Sequence, residues 1–216
     1  MSVLLTSAFS APIEYYAAIA AEVTLSPDRV IPSEVWLEGK ENYQKQSWRN
    51  RCTIMTAGGP ENISFPIVHR DGSHNNIPIT EVEVDYKTDW VTRAERAIES
   101  AYSSSAFFIY YKDEFFSILD SRPERLFDLN LQLLEYFLRM LGIPADIRLT
   151  EVYGAVPEGT RDLREVLHPK HPELVPEDLR TKKPYYQVFS GKYGFVGGLS
   201  IMDLLFNEGP DSISYL

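Results

Sequence analysis

Residues 43–55 read Tyr43-Gln44-Lys45-Gln46-Ser47-Trp48-Arg49-Asn50-Arg51-Cys52-Thr53-Ile54-Met55. The first ten residues are mostly polar and include three cations, whereas the last three form a strand-like run. Apolar residues alternate with their neighbours from Cys52 onward, which predicts a β-strand. The turn signal Ala57-Gly58-Gly59-Pro60 follows, and the alternation resumes at Ile63. We therefore predict a hairpin, with Pro66 favouring an edge position for its second strand.

The polar part of this stretch is a candidate binding site. If it were extended, one side would carry Lys45, Ser47, Arg49 and Arg51, and the other Gln44, Gln46, Trp48, Asn50 and Cys52. Two guanidinium groups on one side could hold a phosphate or carboxylate through paired hydrogen bonds, with Lys45 adding a point charge. Alternatively, the cations pair with Glu38, Glu41 and other acids on a solvated face, and the residues alone favour this interpretation.

The composition is that of a globular protein with a strong excess of acidic residues. Hydrophobic residues make up 44% of the 216 residues, an ordinary globular value, and the formal net charge is −10. This charge argues against nucleic-acid binding and against docking on anionic lipid, because both need a basic face. It is compatible with a small anionic ligand or a sugar.

Three features of the sequence bear on cellular location. Cys52 is the sole cysteine, which excludes an internal disulfide and favours a reducing compartment. No apolar run approaches the roughly 20 residues needed to span a bilayer. The N-terminus lacks a positively charged region, and polar residues interrupt its apolar run, so no signal peptide is predicted. We therefore expect a cytoplasmic protein without stable membrane insertion.

Apolar periodicity predicts both strands and helices along the chain. Besides the hairpin, strands are predicted at residues 3–9, 34–38, 82–84, 147–152 and 185–189. Helices are predicted after Pro12 and Asp89, over residues 108–119 and 126–141, and at 163–167 and 201–206. Ser121 with Glu124 forms a capping-box pattern for the helix at 126–141, and Gly142 ends it.

These elements predict an α/β fold class (mixed α+β). We expect a single domain over residues 1–216, with a mixed or mainly antiparallel sheet and a central helical block. Five of the 14 prolines lie between Pro157 and Pro184, which disfavours long regular elements there. This segment is predicted to be an irregular, Pro-rich flap, because long loops in compact domains are often functional.

The histidines and the cysteine give weak chemical signals. Among the four histidines, His69, His74, His168 and His171, the last two have a spacing that can bind metal in loops. No further pair of ligands completes a site, so no metal is predicted. Cys52 has no base nearby in sequence, and we predict a buried thiol rather than a nucleophile.

A second charged segment lies in the C-terminal half. Arg161-Asp162-Leu163-Arg164, followed by Lys170, is either a second anion-facing group or a salt-bridged helix start. The common dinucleotide, phosphate-loop, hydrolase and zinc-protease motifs are missing from the sequence, so no cofactor is predicted.

Several motifs together resemble the WbqC-like family of bacteria. Residues 44–51 resemble the family's K-x-S-x-R-N-R signature, and Pro12 to Tyr16 resemble its early proline-and-double-aromatic helix start. Further similarity lies at Trp90, Ala101-Tyr102, Phe107-Phe108, Tyr110-Tyr111, Asp162-Leu163-Arg164, Pro169-Lys170, Tyr185, Gln187, Phe189 and Leu199 to Pro210. The family is named after a member encoded among O-antigen biosynthesis proteins. The resemblance therefore implies a role in surface-polysaccharide or modified-sugar assembly.

The residues and the resemblance lead to a first hypothesis, an enzyme that transfers an acyl or aminoacyl group to an activated sugar. Its expected catalytic residues are Asp162, which would orient or accept a proton, and Lys170, which would neutralise charge. The expected substrate-binding residues are Lys45, Ser47, Arg49, Asn50, Arg51, Arg164 and Asn207.

The second hypothesis is a non-catalytic sugar- or anion-binding module or scaffold. It follows from the missing motifs and from Ala94, which stands where the family pattern has a histidine. In both hypotheses the partner is a small molecule, and a homo-oligomer is left open.

Overall fold

The computed structural model describes residues 2–26, 29–68 and 77–216, which form a mixed α/β structure. The strands are β1 (Ser2–Leu5), β2 (Thr24–Ser26), β3 (Arg29–Ile31), β4 (Ser33–Leu37), β5 (Arg51–Thr56), β6 (Gly59–Ser64), β7 (Ala145–Leu149) and β8 (Thr160–Asp162). The helices are α1 (Ile13–Ala21), α2 (Trp90–Tyr102), α3 (Phe108–Asp120), α4 (Leu126–Leu141), α5 (Ser190–Tyr193) and α6 (Ile201–Glu208). The predicted α/β class is confirmed. Within the described residues, no helix has the length and apolar character that crossing a membrane requires.

The largest sheet has four parallel strands in the order β7-β4-β1-β8. Val3 of β1 pairs with Val35 of β4 on one side and with Arg161 of β8 on the other. Parallel strands need long crossover connections, and here α1 lies between β1 and β4, while α2, α3 and α4 lie between β4 and β7. The expected mixed or mainly antiparallel sheet is not confirmed, because alternation along a strand does not report the direction of its neighbours.

The predicted hairpin is confirmed as β5 and β6. Its antiparallel register pairs Cys52 with Ile63, and both side chains are buried, so one face of the hairpin joins the core. The second strand begins earlier than predicted, at Gly59. The φ of Gly59 is 110°, a conformation that favours glycine, and it makes the turn tight enough for pairing to start at once. β2 and β3 form a second antiparallel pair.

The long helix α4 supplies much of the core. Four of its apolar residues recur at helical spacing and are fully buried: Leu126, Leu129, Leu133 and Phe137. The predicted capping box is wrong, because the helix begins only at Leu126. The Ser121 hydroxyl instead donates to the Ile118 carbonyl at the end of α3 (2.8 Å), and the Glu124 carbonyl accepts from the Val84 N–H (2.9 Å).

The segment between β7 and α6 is largely irregular. The predicted helix at 163–167 is a single turn, in which the Leu167 N–H donates to the Leu163 carbonyl (3.0 Å). The predicted strand at 185–189 does not form. The Gln187 side chain bonds both the N–H and the carbonyl of Val196 (2.9 Å each), and so takes the place of a neighbouring strand. That the segment acts as a flap stays a prediction.

Replacing Gly142 with alanine should destabilise the protein through the backbone alone. Gly142 ends α4 with a φ of 68°, and an added Cβ would meet no atom within 4 Å. We expect Gly142→Ala to lower the free energy of unfolding by about 1 kcal/mol in chemical denaturation. Gly191→Ala is the control, since its Cβ would also meet nothing but its φ is not left-handed. Equal losses in both variants would contradict the prediction.

Candidate functional site

The strand order creates a topological switch point at the carboxyl ends of β1 and β8. From β1 the sheet continues to β4 and β7 on one side, whereas β8 pairs with the other side of β1. In open α/β sheets, ligands bind outside the carboxyl ends of the strands at such a switch point, because the connections diverge there. A cavity of about 550 Å³ lies at this position, and we call it the β1–β8 cavity. Its wall includes Pro12 and Glu14 after β1, Leu167, His168 and Pro169 after β8, and Trp48 from the polar stretch.

Glu14 is the buried acid of the β1–β8 cavity. It lies in the first turn of α1, and the residue is only 8% exposed. Burial raises the pKa of its carboxyl group, while its own backbone N–H and the charge of Arg180 oppose this shift. A carboxyl group with a raised pKa in a cleft is a candidate for proton transfer or for recognition of a cation.

Arg180 and His168 supply further polar groups to the wall. Arg180 is half exposed, and its Nε lies 3.4 Å from both the Glu177 carboxylate and the Val175 carbonyl. Desolvation and the charge of Arg49 lower the pKa of His168, so its imidazole is neutral at about pH 7. The Lys170 N–H donates to its Nδ1 (3.2 Å), so the imidazole proton belongs on Nε2.

Two aromatic side chains give the cavity its apolar faces. Trp48 is partly buried, and its inner side packs against the core. Phe195 is 37% exposed, and its ring packs edge-on against Tyr185 at 5.2 Å. Apolar walls with a few convergent polar groups are the usual composition of a small-molecule site.

The polar stretch of residues 43–52 folds into a turn that directs Trp48 to this cavity. Residues 48–50 form one 3-10 turn, and the Ser47 hydroxyl caps it by accepting from the Arg49 N–H (3.5 Å) and donating to the Gln44 carbonyl (2.7 Å). Asn130 of α4 donates to the Arg49 carbonyl (2.9 Å) from the core side. The turn therefore presents Trp48 to the cavity and buries Arg49.

Arg49 is engaged in a buried ion pair. It is 3% exposed, its Nε donates to Oε1 of Glu41 (2.9 Å), and its Nη2 contacts Oε2 of the same carboxylate. The alternative in which Arg49 pairs with Glu41 is thus what the structure shows, although in the interior rather than on a solvated face. A substrate-binding role for Arg49 stays a prediction, and it would require this pair to open.

A second buried ion pair joins the ends of β4 and β8. Glu38 is fully buried, and its carboxylate accepts from Arg164 Nη1 (2.6 Å) and from the Thr150 hydroxyl (2.5 Å). Arg164 also binds Asp162 (2.7 Å), and this hydrogen bond lowers the pKa of Asp162. Because a carboxylate with a lowered pKa is a weaker base, the proton-accepting role predicted for Asp162 gains no support from its electrostatics.

The other predicted residues take no part in these two ion pairs. Lys45 and Lys170 are exposed, and the side-chain amides of Asn50 and Asn207 each donate to a backbone carbonyl at 2.7 Å. Arg51 is half buried, and its Nε has no partner among the described residues. All the predicted site residues lie in the described part of the chain, yet none contributes to the cavity wall. Their catalytic and binding roles stay predictions.

Among the residues that line the cavity, none of which was predicted as a site residue, three supply its acid, its arginine and one aromatic face: Glu14, Arg180 and Phe195. An acid in the first turn of a helix is ordinary, and the other two lie in an irregular segment without periodicity. One sequence signal could have located Glu14. A strand is followed by a helix that begins after Pro12, and such helix starts lie at the ligand-binding edge of α/β sheets. Ala94, where the family pattern has a histidine, is buried on α2 outside this cavity.

Cys52 adds no chemistry to the site, and the spacing of His168 and His171 does not make a metal site. Cys52 is buried as predicted, and burial raises the pKa of its thiol, which makes it a poor nucleophile. The rings of His168 and His171 lie 5.7 Å apart. No group of three or more metal-ligating side chains occurs among the described residues, and His69 and His74 lie outside them.

Removing Arg49 should destabilise the protein far more than removing an exposed arginine. Arg49→Ala leaves the Glu41 carboxylate buried without its partner, and we expect the free energy of unfolding to fall by about 3–5 kcal/mol. Arg139→Ala is the matched control, because Arg139 binds Glu114 in a similar two-contact pair on the exposed surface. The control should lose about 1 kcal/mol or less. Similar losses in chemical denaturation would contradict a structural role for Arg49.

Glu14 should make stability depend on pH. Its pKa is raised on folding, so its contribution to stability is fully present below the unfolded pKa and is lost as the pH rises through the folded pKa. Glu14→Gln removes this loss, so the Tm of the variant relative to that of the wild type should increase as the pH rises above about 4.5, the ordinary pKa of a glutamate. Glu173→Gln should behave differently, because its own backbone N–H and His171 lower the pKa of Glu173. Its stabilising contribution is lost only as the pH falls below about 4.5, so the Tm of this variant relative to the wild type should not increase above that pH. Parallel Tm curves for Glu14→Gln and the wild type would disprove the prediction.

Comparison with known proteins identifies the family. The chain matches the WbqC-like protein family over residues 32–171, more than half of its length. It is also similar to a protein of Mycobacterium tuberculosis named Uncharacterized protein Rv1507c, with 28% identity over 198 residues, 81% of this chain and 83% of that protein. No solved structure shows significant similarity to the chain. With the family match extending from β4 through both buried ion pairs to His171, this chain belongs to the WbqC-like protein family.

Proposed function

We propose that this protein is an enzyme that modifies an activated sugar, and that the β1–β8 cavity binds the sugar. The reaction proposed is acyl or aminoacyl transfer to that sugar, within bacterial surface-polysaccharide or modified-sugar biosynthesis. Membership of the WbqC-like family supports this setting. Activated sugars are made in the cytoplasm, so the proposal also places the protein there.

The observation that carries the proposal is the composition of the β1–β8 cavity. Its volume of about 550 Å³ is in the range of small-molecule sites. Trp48 and Phe195 offer apolar faces, on which the C–H face of a sugar ring can pack. Glu14 and His168 lie in the same wall and can bond to hydroxyl groups, so the cavity pairs the two kinds of surface that a sugar presents.

The positive groups lie toward the outside of the cavity. Arg180 is half exposed at its rim, and Lys170 is exposed next to Pro169, which lines it. Exposed cations can neutralise the phosphate of an activated sugar without the cost of burying a charge. The proposal thus places the sugar ring inside, between the aromatic faces, and its phosphate at the rim.

Arg49 and Arg164 act indirectly in this proposal. Their pairing with Glu41 and Glu38 fixes the turn that carries Trp48 and the loop that leads to His168. His168, with its proton on Nε2, would donate to a hydroxyl or carbonyl oxygen of the ligand. Four of the other predicted residues, Ser47, Asn50, Asp162 and Asn207, would support the surrounding structure through their hydrogen bonds.

A non-catalytic sugar-binding module is the second candidate. It is favoured by the ion pair of Asp162 with Arg164, which leaves the predicted proton acceptor a weak base. Incubation with acyl donors and activated sugars separates the two candidates. Product formation supports the enzyme, whereas ligand stabilisation without product supports the binding module.

Trp48→Ala should remove most of the stabilisation by the sugar ligand. A nucleotide-sugar that binds the folded state raises the Tm, which a thermal-shift screen of the wild type detects. Loss of the Trp48 face should weaken affinity about tenfold. Trp36→Ala is the control, because Trp36 lies on β4 beside Arg148 and outside the β1–β8 cavity. If Trp48→Ala keeps the full shift, the cavity is not the sugar site.

A further inference from the structure

The carboxyl group of Glu14 lies in the cavity wall without a cationic partner. Within residues 2–26, 29–68 and 77–216, no side chain forms an ion pair with it, and its stabilising hydrogen bond comes from its own backbone N–H. The residue is 8% exposed, so water replaces the missing partner only in part. A buried carboxylate without a counter-charge is unfavourable. A ligand that brings a cation to this position would relieve that cost.

The groups around Glu14 do not neutralise it. The Arg180 guanidinium reduces the pKa shift of Glu14 through its charge, but its hydrogen bonds go to Val175 and its ion pair is with Glu177. His168 is neutral at about pH 7, because desolvation and the charge of Arg49 lower its pKa. The carboxylate of Glu14 is therefore the uncompensated charge of the inner wall.

The wall next to Glu14 leaves room for a ligand group. Gly197 and Gly198 line the cavity, and Oε1 of Glu14 lies 4.0 Å from the point where a Cβ of Gly198 would stand. The φ of Gly198 is 71°, which side chains rarely adopt, so this position favours a residue that leaves the space open. The buried hydroxyl of Thr181, also in the wall, has no hydrogen-bond partner among the described residues.

The charge at this position selects the kind of group that can bind. A phosphate beside the Glu14 carboxylate would be repelled, whereas an ammonium group would form a charge-assisted hydrogen bond with it. The adjacent aromatic faces of Trp48 and Phe195 suit the ring that carries such a group. We propose that the β1–β8 cavity recognises the primary ammonium group of an amino sugar through the carboxylate of Glu14, an inference that rests on the proposed sugar site.

Titration of the full chain with three sugars tests this recognition. D-Glucosamine, D-glucose and N-acetyl-D-glucosamine differ only at one ring position, and their binding can be followed by tryptophan fluorescence at about pH 7, where the amine is largely protonated. We expect the wild type to bind D-glucosamine about tenfold more tightly than the other two. Glu14→Gln, which keeps the shape of the side chain, should lose this preference.

Glu95→Gln is the matched control. Burial raises the pKa of Glu95 as it does that of Glu14, but Glu95 lies on α2 outside the cavity, so this variant should keep the preference. If the wild type binds all three sugars equally and Trp48→Ala abolishes their binding, the sugar site stands and the recognition of an amine is overturned. If no sugar binds the wild type, the recognition of an amine is overturned, while the thermal shift with a nucleotide-sugar decides the proposed function separately. If Glu14→Gln does not fold, equal binding of the three sugars by the wild type still overturns the proposal.

Discussion

Two buried arginine–glutamate pairs at the carboxyl edge of the parallel sheet hold the loops of this protein in place. Glu38 directly follows β4 and binds Arg164, which follows β8, while Glu41 binds Arg49 in the turn before β5. The pairs are close enough for Glu38 and Arg164 to influence the ionisation of Glu41. Separating either pair would leave a buried charge without its partner, which is unfavourable, so the pairs restrain the loops that carry them.

The same pairs explain why a basic motif contributes little free positive charge. One 3-10 turn directs Arg49 inward to Glu41 and presents Trp48 to the β1–β8 cavity. The wall of that cavity contains a buried acid and aromatic side chains, and its arginine, Arg180, is half exposed. The ligand proposed for this cavity differs accordingly from an anion held by arginines, since the buried group in the wall is an acid.

The region that matches the family contains only some of the residues that line the cavity. The match over residues 32–171 includes both buried pairs, Trp48 and His168. It does not include Glu14 on α1, nor Arg180 and Phe195 from the irregular C-terminal segment. The matched region therefore supplies the two ion pairs and part of the cavity wall. The carboxyl group that would recognise an amine comes from outside the matched region.

The sequence by itself determined the features that depend on near neighbours. The buried face of α4, the turn between β5 and β6 and the end of α4 at Gly142 follow from periodicity and backbone preference over a few residues. Only the tertiary structure decided the parallel order of the strands, the partner of Arg49 and the wall of the cavity. These depend on residues far apart in the chain, such as Ser2 beside Thr160 and Glu38 beside Arg164. Alternation is the same in parallel and antiparallel strands, and an arginine binds a glutamate as readily as a phosphate, so local sequence cannot distinguish these outcomes.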